Sequence, residues 1–470
     1  MSSAKEPVTR RFGNGLTVLI KEDKSHPVVS LQYWVGTGSM NEGHWQGSGL
    51  SHLLEHLVFK GTEHYSGQDL ARKVQERGGH WNAYTSVNRT VYYIDGPADS
   101  WQIFLNLLTE LVFFPTFPED ELEREKGVVR REMAMYADDP DSVAYQLLMQ
   151  TLYLKHPRRW PVLGEPAAFD CLTRQDVLDY HASRYVPNNV VLSIAGDVDA
   201  AEIFSHLELL VEDLKSRPLN RELIPHDPHQ FGSRRVRKEF AVPYSKLNLA
   251  WRLPCSGHPD TPALSALASI LGGGRSARFY EKFHDRLGLV YSIEVHSNQS
   301  ETDEGAFTIS IDVDRAQRDK VRDLVLQELR NLAQEDFTED LKRVCKQTRV
   351  SRLRRRSSAA GVASEMGADW FGARNLNLSS EWQEAIERVT TEDLHRVCST
   401  WLSSPNVTEV SLDPVGSNAA EEDGSAAGTE TALSEHVLGN GMKVVIREDH
   451  RLPLAYACLA FKAGCRAENE

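Results

Sequence analysis

The chain has 470 residues, of which 41% are apolar and 26% are charged, and its formal net charge is −14 at pH 7. This length exceeds one ordinary domain core and predicts about two to four globular domains. The acidic balance disfavours a nucleic-acid binder, which needs a basic face to neutralise phosphates, and no stretch approaches the apolar length of a membrane span.

The N-terminal residues and the cysteines indicate a cellular compartment. Met1 to Gly15 contain neither the apolar run of a secretory signal nor the acid-free amphipathic stretch of a transit peptide. The six cysteines are scattered without a CxxC pair, which is typical of unpaired thiols in a reducing compartment. We therefore expect a cytoplasmic protein without structural disulfides and without a membrane or nucleic-acid partner.

An internal repeat begins near the N-terminus. Residues Phe12 to Glu42 align without gaps to residues Leu438 to Glu468, and both copies contain an Asn-Gly turn beside alternating apolar residues. That pattern predicts a strand pair in each copy. We expect the chain to be the front portion of a longer protein that begins its pattern again, or else to carry an orphan strand pair.

The segment "SHLLEHLVFKGTEH" places two histidines four residues apart in an apolar stretch. On a helix, His52 and His56 share one face and can bind one metal ion. A catalytic zinc takes three protein ligands and leaves one position to water, so a third ligand must come from elsewhere. Glu55 suits a general base for that water, and the order His-x-x-Glu-His is that of the inverzincins. The alternative is a pair of core histidines with hydrogen-bonded partners.

A second candidate helix follows in "FPEDELEREKGVVRREMAMYADDP", with acidic residues in its first turn. Glu125 and Glu132 are two turns apart and share a stripe with Val128 and Val129, which predicts that the stripe faces inward. Carboxylates on an apolar face are costly unless paired or metal-bound, so Glu132 is a candidate third ligand and Glu125 a candidate partner for a ligand histidine. The competing interpretation is a solvated face among neighbouring arginines.

The remaining sequence mixes strands and long helices without a regular βαβ alternation, which favours an α+β fold. The second domain opens with the alternating "KLNLAWRL", and a small, polar, aperiodic segment typical of a flexible linker precedes the restart. The predicted organisation is a first domain at 1–215, a connection at 216–238, a second domain at 239–412, a linker at 413–435 and the restart at 436–470.

The combination of His52, Glu55 and His56 with the later Glu132 in "VVRREM" resembles the M16 zinc metallopeptidases, the group of insulin-degrading enzyme, pitrilysin and the mitochondrial processing peptidase. The resemblance covers about residues 8–415. It extends to further segments in the family's order: Gly47 to Thr62, Gly78 to Tyr93, Arg184 to Asp199 and Leu271 to Ser292.

The resemblance implies one zinc ion per chain and a role for each matching residue. His52, His56 and Glu132 match the zinc ligands, Glu55 the catalytic base, and Glu125 the glutamate that supports a ligand histidine. The expected substrate contacts are an edge strand and two aromatic residues, for which ordinary strand structure and core packing are the alternatives. They are Asn82, Ala83, Tyr84, Thr85, Phe59 and Tyr291.

The architecture implied is a pair of similar α+β domains of the LuxS/MPP-like type, each an antiparallel-rich sheet covered by helices. Together they form half of a clamshell, and only the first domain carries the metal. The expected function is a zinc endopeptidase for peptides or small unfolded polypeptides. The expected partners are peptide substrates and a second half or chain that closes the chamber. A catalytically silent scaffold subunit and a peptide-binding module with structural zinc remain the alternatives.

Overall fold

The computed structural model of the protein describes residues 6–220, 222–299, 304–402, 405–416 and 434–446. The chain divides into two units, Met1–Val415 and Gly416–Glu470. The first unit contains two sheets with their helices, and the described part of the second is a strand pair. Most of the predicted linker, together with Cys458 and Cys465, lies outside the described residues.

The first sheet has six strands in the order β1-β2-β6-β3-β5-β4. β2 and β6 are parallel, and every other neighbouring pair is antiparallel. β4 pairs only with β5 and therefore forms one edge of the sheet. The strands are β1 (Val8–Arg11), β2 (Thr17–Glu22), β3 (Val28–Val35), β4 (His80–Thr85), β5 (Thr90–Pro97) and β6 (Val190–Gly196).

Helices of the first domain cover one face of this sheet. Their apolar stripes and the inward residues of the strands, including Val18 and Ile20, form one buried core. The helices are α1 (Leu50–Leu57), α2 (Gly67–Glu76), α3 (Trp101–Phe113), α4 (Glu119–Asp138), α6 (Pro166–Asp170), α7 (Arg174–Arg184) and α8 (Ala200–Leu210), whereas α5 (Pro140–Leu152) of the same domain packs elsewhere.

The second sheet repeats the topology of the first. Its order is β7-β11-β8-β10-β9, with a parallel β7–β11 pair and antiparallel pairing elsewhere. β9 occupies the edge position that β4 occupies in the first sheet. The strands are β7 (Arg234–Phe240), β8 (Ser245–Leu253), β9 (Val290–Asn298), β10 (Gly305–Val313) and β11 (Thr408–Pro414). The prediction of two similar antiparallel-rich α+β domains is thus confirmed.

The helices of the second domain build a separate core on one face of the second sheet. They are α9 (Thr261–Gly272), α10 (Arg318–Asn331), α11 (Thr338–Arg355), α13 (Leu378–Glu387) and α14 (Thr391–Val397), whereas α12 (Ala359–Ala373) of the same domain packs elsewhere. The second sheet begins at Arg234, inside the segment 216–238 that the sequence assigns to the connection. It ends at Pro414, past the predicted boundary at 412.

Each sheet is covered on its other face by a helix from the opposite domain. α12 packs on the first sheet, where Ala363 and Met366 contact a cluster that contains Trp34. α5 packs on the second sheet, where Leu148 contacts a cluster that contains Val410. The exchange of helices buries apolar surface of both domains and joins them into one unit.

The second unit contains the antiparallel pair β12 (Ser434–Val437) and β13 (Lys443–Ile446). It repeats the register of β1 and β2: Ser434 pairs with Ile446 as Val8 pairs with Ile20. The turns agree as well, because the asparagine side chain accepts from the amide two residues later at 3.1 Å in both copies. The glycine after each asparagine has a positive φ, +91° at Gly15 and +83° at Gly441.

The described cysteines are free thiols, at Cys171, Cys255, Cys345 and Cys398. Cys398 is buried, and burial raises the pKa of its thiol to about 11. Along the described part of the chain, no helix has both the length and the apolar character that crossing a membrane requires.

The contact between α12 and the first sheet yields a stability prediction. A Cβ atom at Gly367 would lie 2.3 Å from Cε2 of the buried Trp34. We expect Gly367→Ala to lower the free energy of unfolding by about 1–3 kcal/mol, because overpacking outweighs the gain in helix propensity. Urea denaturation followed by circular dichroism measures the change.

Gly127→Ala in α4 is the matched control, because an added Cβ would meet the Arg131 side chain only at 3.8 Å, an ordinary van der Waals distance. We expect this variant to be neutral or more stable by up to about 1 kcal/mol. Equal effects of the two substitutions would contradict the proposed packing of α12 on Trp34.

Candidate metal centre

α1 owes its orientation to a leucine stripe. Because these leucines occupy one face of the helix, His52, Glu55 and His56 fall on the remaining surface with helical spacing. The stripe, which is fully buried in the first core, consists of Leu50, Leu53, Leu54 and Leu57.

The helix α4 brings a third candidate ligand to the two histidines. Glu132 Oε2 lies 3.8 Å from His52 Nε2 and 3.8 Å from His56 Nε2. One donor atom from each of these residues lies within 4.8 Å of the other two. His52 is 9% exposed, whereas the Glu132 side chain is 26% exposed, so the group lies at the border between core and solvent.

Glu125 lies two turns before Glu132 on α4 and is 6% exposed. Its Oε2 is 3.2 Å from His56 Nδ1, and its Oε1 is 2.7 Å from Lys60 Nζ. Burial raises the pKa of Glu125, but the contacts with His56 and Lys60 lower it by more. The pKa of Glu125 is therefore below its ordinary value. Glu125 is therefore a paired, charged group inside the fold.

Glu55 faces the edge strand β4. The Thr85 hydroxyl donates a hydrogen bond of 2.6 Å to Glu55 Oε2. Burial raises the pKa of Glu55, and the nearby Glu132 carboxylate adds to this, while Thr85 and His56 act in the opposite direction. A carboxylate with a raised pKa beside candidate metal ligands is the type of residue that can exchange protons in an active site.

The two histidines differ in their surroundings. Burial, together with the neighbouring His56, lowers the pKa of His52 to about 4, so His52 is neutral at pH 7 and has a lone pair for a cation. For His56, burial lowers the pKa, but the carboxylates of Glu125, Glu55 and Glu132 outweigh burial and raise it. Among the described residues, His52 Nδ1 has no hydrogen-bond partner, whereas His56 Nδ1 contacts Glu125.

The predicted substrate-contact residues fall in three places. Asn82 to Thr85 lie on the edge strand β4, and the Asn82 side chain accepts a 2.9 Å bond from the Ala83 amide. Phe59 is partly buried and packs edge-on against Trp81, with ring centroids 4.9 Å apart. Tyr291 lies on β9 of the second domain, is 55% exposed and donates a hydrogen bond to Asp314.

Two family models match the chain along most of the first unit. The model described as insulinase, peptidase family M16, matches residues 17–165, and the model described as the peptidase M16 inactive domain matches residues 172–347. An uncharacterized zinc protease of Mycobacterium bovis is 30% identical over 299 residues, which are 62% of this chain and 67% of that protein. The chain belongs to peptidase family M16.

Other M16 relatives match over most of their length. An uncharacterized zinc protease of Rickettsia felis is 27% identical over 406 residues, 84% of this chain and 94% of that protein. Among solved structures, a protease from Helicobacter pylori is similar, with a TM-score of 0.80, 25% identity, and coverage of 87% of this chain and 99% of that chain. Both matches cover more than four fifths of this chain, which agrees with a similarity that includes both sheets.

The M16 chain also contains a buried carboxylate under its candidate metal helix. Glu42 is 1% exposed, and its Oε1 accepts a 2.8 Å hydrogen bond from the Ser51 amide in the first turn of α1. The N-cap residue Gly49 has φ +73° and no side chain, so Glu42 satisfies a backbone donor that the cap itself leaves free. Burial raises the pKa of Glu42 to about 8.

The sequence interpretation did not include Lys60, Glu42 or the hydroxyl contact of Thr85. Lys60 follows His56 by one helical turn, and this spacing is the signal that points to a shared partner. No spacing rule connects Glu42 to Ser51 or Thr85 to Glu55, because loops and strands of the fold bring these pairs together.

The surroundings of Glu42 predict a pH-dependent effect on stability. Its pKa in the folded state is about 8, against an ordinary value of 4.5, so the folded protein binds this proton more tightly than the unfolded chain does. The penalty for ionising Glu42 is absent below pH 4.5 and grows until the pH passes about 8. Relative to the parent, Glu42→Gln should therefore gain about 3–4 kcal/mol of stability between pH 5 and pH 8.

Urea denaturation of the parent and Glu42→Gln at several pH values measures this difference. Glu63→Gln, at an exposed position after α1, is the control and should show no such trend. A constant difference between Glu42→Gln and the parent from pH 5 to pH 8 would show that Glu42 does not change protonation in this range.

Proposed function

We propose that this M16 protein is a zinc-dependent endopeptidase that hydrolyses peptides or small unfolded polypeptides. The proposal is supported chiefly by the convergence of His52, His56 and Glu132 on one point, with the Glu55 carboxylate beside them. The names of its zinc-protease relatives agree with this assignment.

The residues present fit a zinc ion. Two imidazole nitrogens and one carboxylate oxygen form a donor set that zinc accepts in catalytic sites. In tetrahedral zinc sites with bonds of about 2 Å, the ligand atoms lie about 3.3 Å apart, and the two measured Nε2–Oε2 distances are 3.8 Å. Among the described residues, no further histidine, cysteine or acid joins the group, which leaves a position for water or substrate.

In the proposed mechanism His52, His56 and Glu132 would hold the ion. When bound, zinc supplies a Lewis acid that polarises a peptide carbonyl and makes water more acidic. Glu55 accepts the proton from the attacking water and then delivers it to the leaving amine. The hydrogen bond from Thr85 keeps one oxygen of Glu55 in place during this exchange.

The substrate is proposed to lie along β4. This strand pairs with β5 on one side only, so its other side can add an extended peptide by main-chain hydrogen bonds. Thr85 at the end of β4 contacts Glu55, which places the strand next to the proposed base. Phe59 supports β4 through Trp81, and Tyr291 on the second domain is proposed as a more distant substrate contact.

A further M16-type unit is proposed to close the chamber, either as the C-terminal half of the same protein or as a second chain. The pair β12–β13 has the register and the turn of β1–β2, the pair that opens the first sheet. Several apolar residues of this repeat are exposed, although their counterparts in the first copy lie in the core. The exposed residues include Met442, Val445 and Ile446.

Replacement of the proposed base tests the function. We expect Glu55→Gln to lower kcat for a fluorogenic, unstructured peptide by at least about 100-fold, because no carboxylate remains to accept the proton. Zinc content, measured by atomic emission, should remain at one ion per chain. Zinc chelation should abolish cleavage by the parent, and added zinc should restore it.

Glu63→Gln, at an exposed position, serves as the control and should cleave at the parental rate. A parent protein that binds zinc but cleaves none of a broad peptide library would contradict the peptidase proposal and favour the scaffold alternative. Retained cleavage by Glu55→Gln would contradict the role of Glu55.

The contact between Thr85 and Glu55 predicts an effect on kcat rather than KM. Thr85→Val keeps the shape of the side chain and the main-chain pairing of β4 but removes the hydroxyl that donates to Glu55. We expect kcat to fall about 10- to 100-fold, the range for a lost hydrogen bond to a charged group, with KM little changed. Thr85→Ser should restore most of the rate, and an increase of KM alone would contradict this role.

A further inference from the structure

Lys60 is a charged residue close to the candidate metal centre without a role in the proposed chemistry. It ends the short turn Val58–Lys60 that continues α1. Its Nζ lies 2.7 Å from Glu125 Oε1, and its side chain is 30% exposed. His56 lies one helical turn before it, so both side chains extend from α1 toward the same carboxylate on α4.

The Glu125 carboxylate divides its oxygens between these two partners. Oε2 contacts His56 Nδ1 at 3.2 Å, and Oε1 contacts Lys60. With the His56 contact alone, the Glu125 carboxylate could rotate about its Cγ–Cδ bond. Contacts at both oxygens fix the plane of the carboxylate. Because His56 Nε2 faces Glu132 when Nδ1 faces Glu125, the orientation of the carboxylate determines where the imidazole points.

We propose that Lys60 is a positioning residue for the metal centre. Through Glu125 it holds the imidazole of His56 with Nε2 directed toward Glu132. Lys60 acts on the candidate ligands indirectly. Its contact is with the Glu125 carboxylate, and its effect reaches His56 through that group. This inference rests on the proposed zinc site but not on peptide hydrolysis.

Burial distinguishes this pair from an ordinary surface ion pair. The Glu125 side chain is 8% exposed, so removal of Lys60 leaves a carboxylate inside the fold with His56 at one oxygen and no cation at the other. The pair Lys342–Glu339 on α11 has a similar distance of 2.6 Å, but its side chains are 62% and 84% exposed. Exposed pairs of this kind contribute little, which makes Lys342 a matched control.

The experiment measures the zinc dissociation constant of the full chain by competition with a chromophoric chelator. Lys60→Met should weaken zinc binding about 10-fold, at the lower end of the range for outer partners of metal ligands. Lys60→Arg should stay within about threefold of the parent, because a guanidinium keeps the charge and the contact. Lys342→Met should bind zinc as the parent does.

A double-mutant cycle with Glu125→Gln tests whether Lys60 acts through Glu125. If it does, Lys60→Met should have no further effect in the Glu125→Gln background, within about twofold. This comparison also works if Lys60→Met alone folds poorly, because neither Glu125→Gln variant contains the buried charge. Melting temperatures of all variants accompany the zinc measurements.

Two outcomes overturn the proposal: parental zinc affinity in Lys60→Met, or losses that multiply in the double variant. If Lys60→Met binds zinc as tightly as the parent and the parent cleaves peptides, the role of Lys60 is contradicted but the proposed peptidase function stands. Zinc affinities that follow the expected cycle, in a protein that cleaves no peptide, would support the role of Lys60 and contradict the proposed function instead.

Discussion

The contact between α1 and α4 is the interaction on which the candidate site depends. α1 contributes a buried leucine face and, beside it, ionisable groups that cannot move away from the core border. α4 adds Glu125 and Glu132 at the same border. A buried, unpaired carboxylate costs several kcal/mol or more, so this arrangement is stable only if the charges are matched.

The matching is uneven across the site. Glu125 has two cationic or proton-donating partners, Lys60 and His56. Glu55 accepts a hydrogen bond from the Thr85 hydroxyl, and the Glu132 carboxylate repels the charge of Glu55. His52 is neutral at pH 7 and contributes no positive charge. The part of the site around Glu55 and Glu132 therefore has an excess of negative charge, and a divalent cation would relieve it.

The sequence predicted local features of the fold well and long-range ones poorly. The strand pair at Asn14 and the histidine helix have clear periods of two and 3.6 residues, which depend only on neighbouring residues. The parallel pairing of β2 with β6, and the packing of Gly367 on Trp34, join residues far apart in the chain and have no local pattern. β7 was missed as part of the second sheet because "RRVRKEF" is a charged edge strand without apolar alternation.

The repeated topology separates what the fold supplies from what the side chains supply. Between β8 and β9 the second domain has α9, in the place that α1 and α2 occupy between β3 and β4. The sequence of α9, "TPALSALASILG", is small or apolar throughout and offers neither imidazole nor carboxylate. Its buried face therefore supports the second sheet as α1 supports the first, but it has no donor for a cation. The same framework thus occurs twice, and within the described part of the chain the candidate metal ligands come from the ionisable residues of α1 and α4.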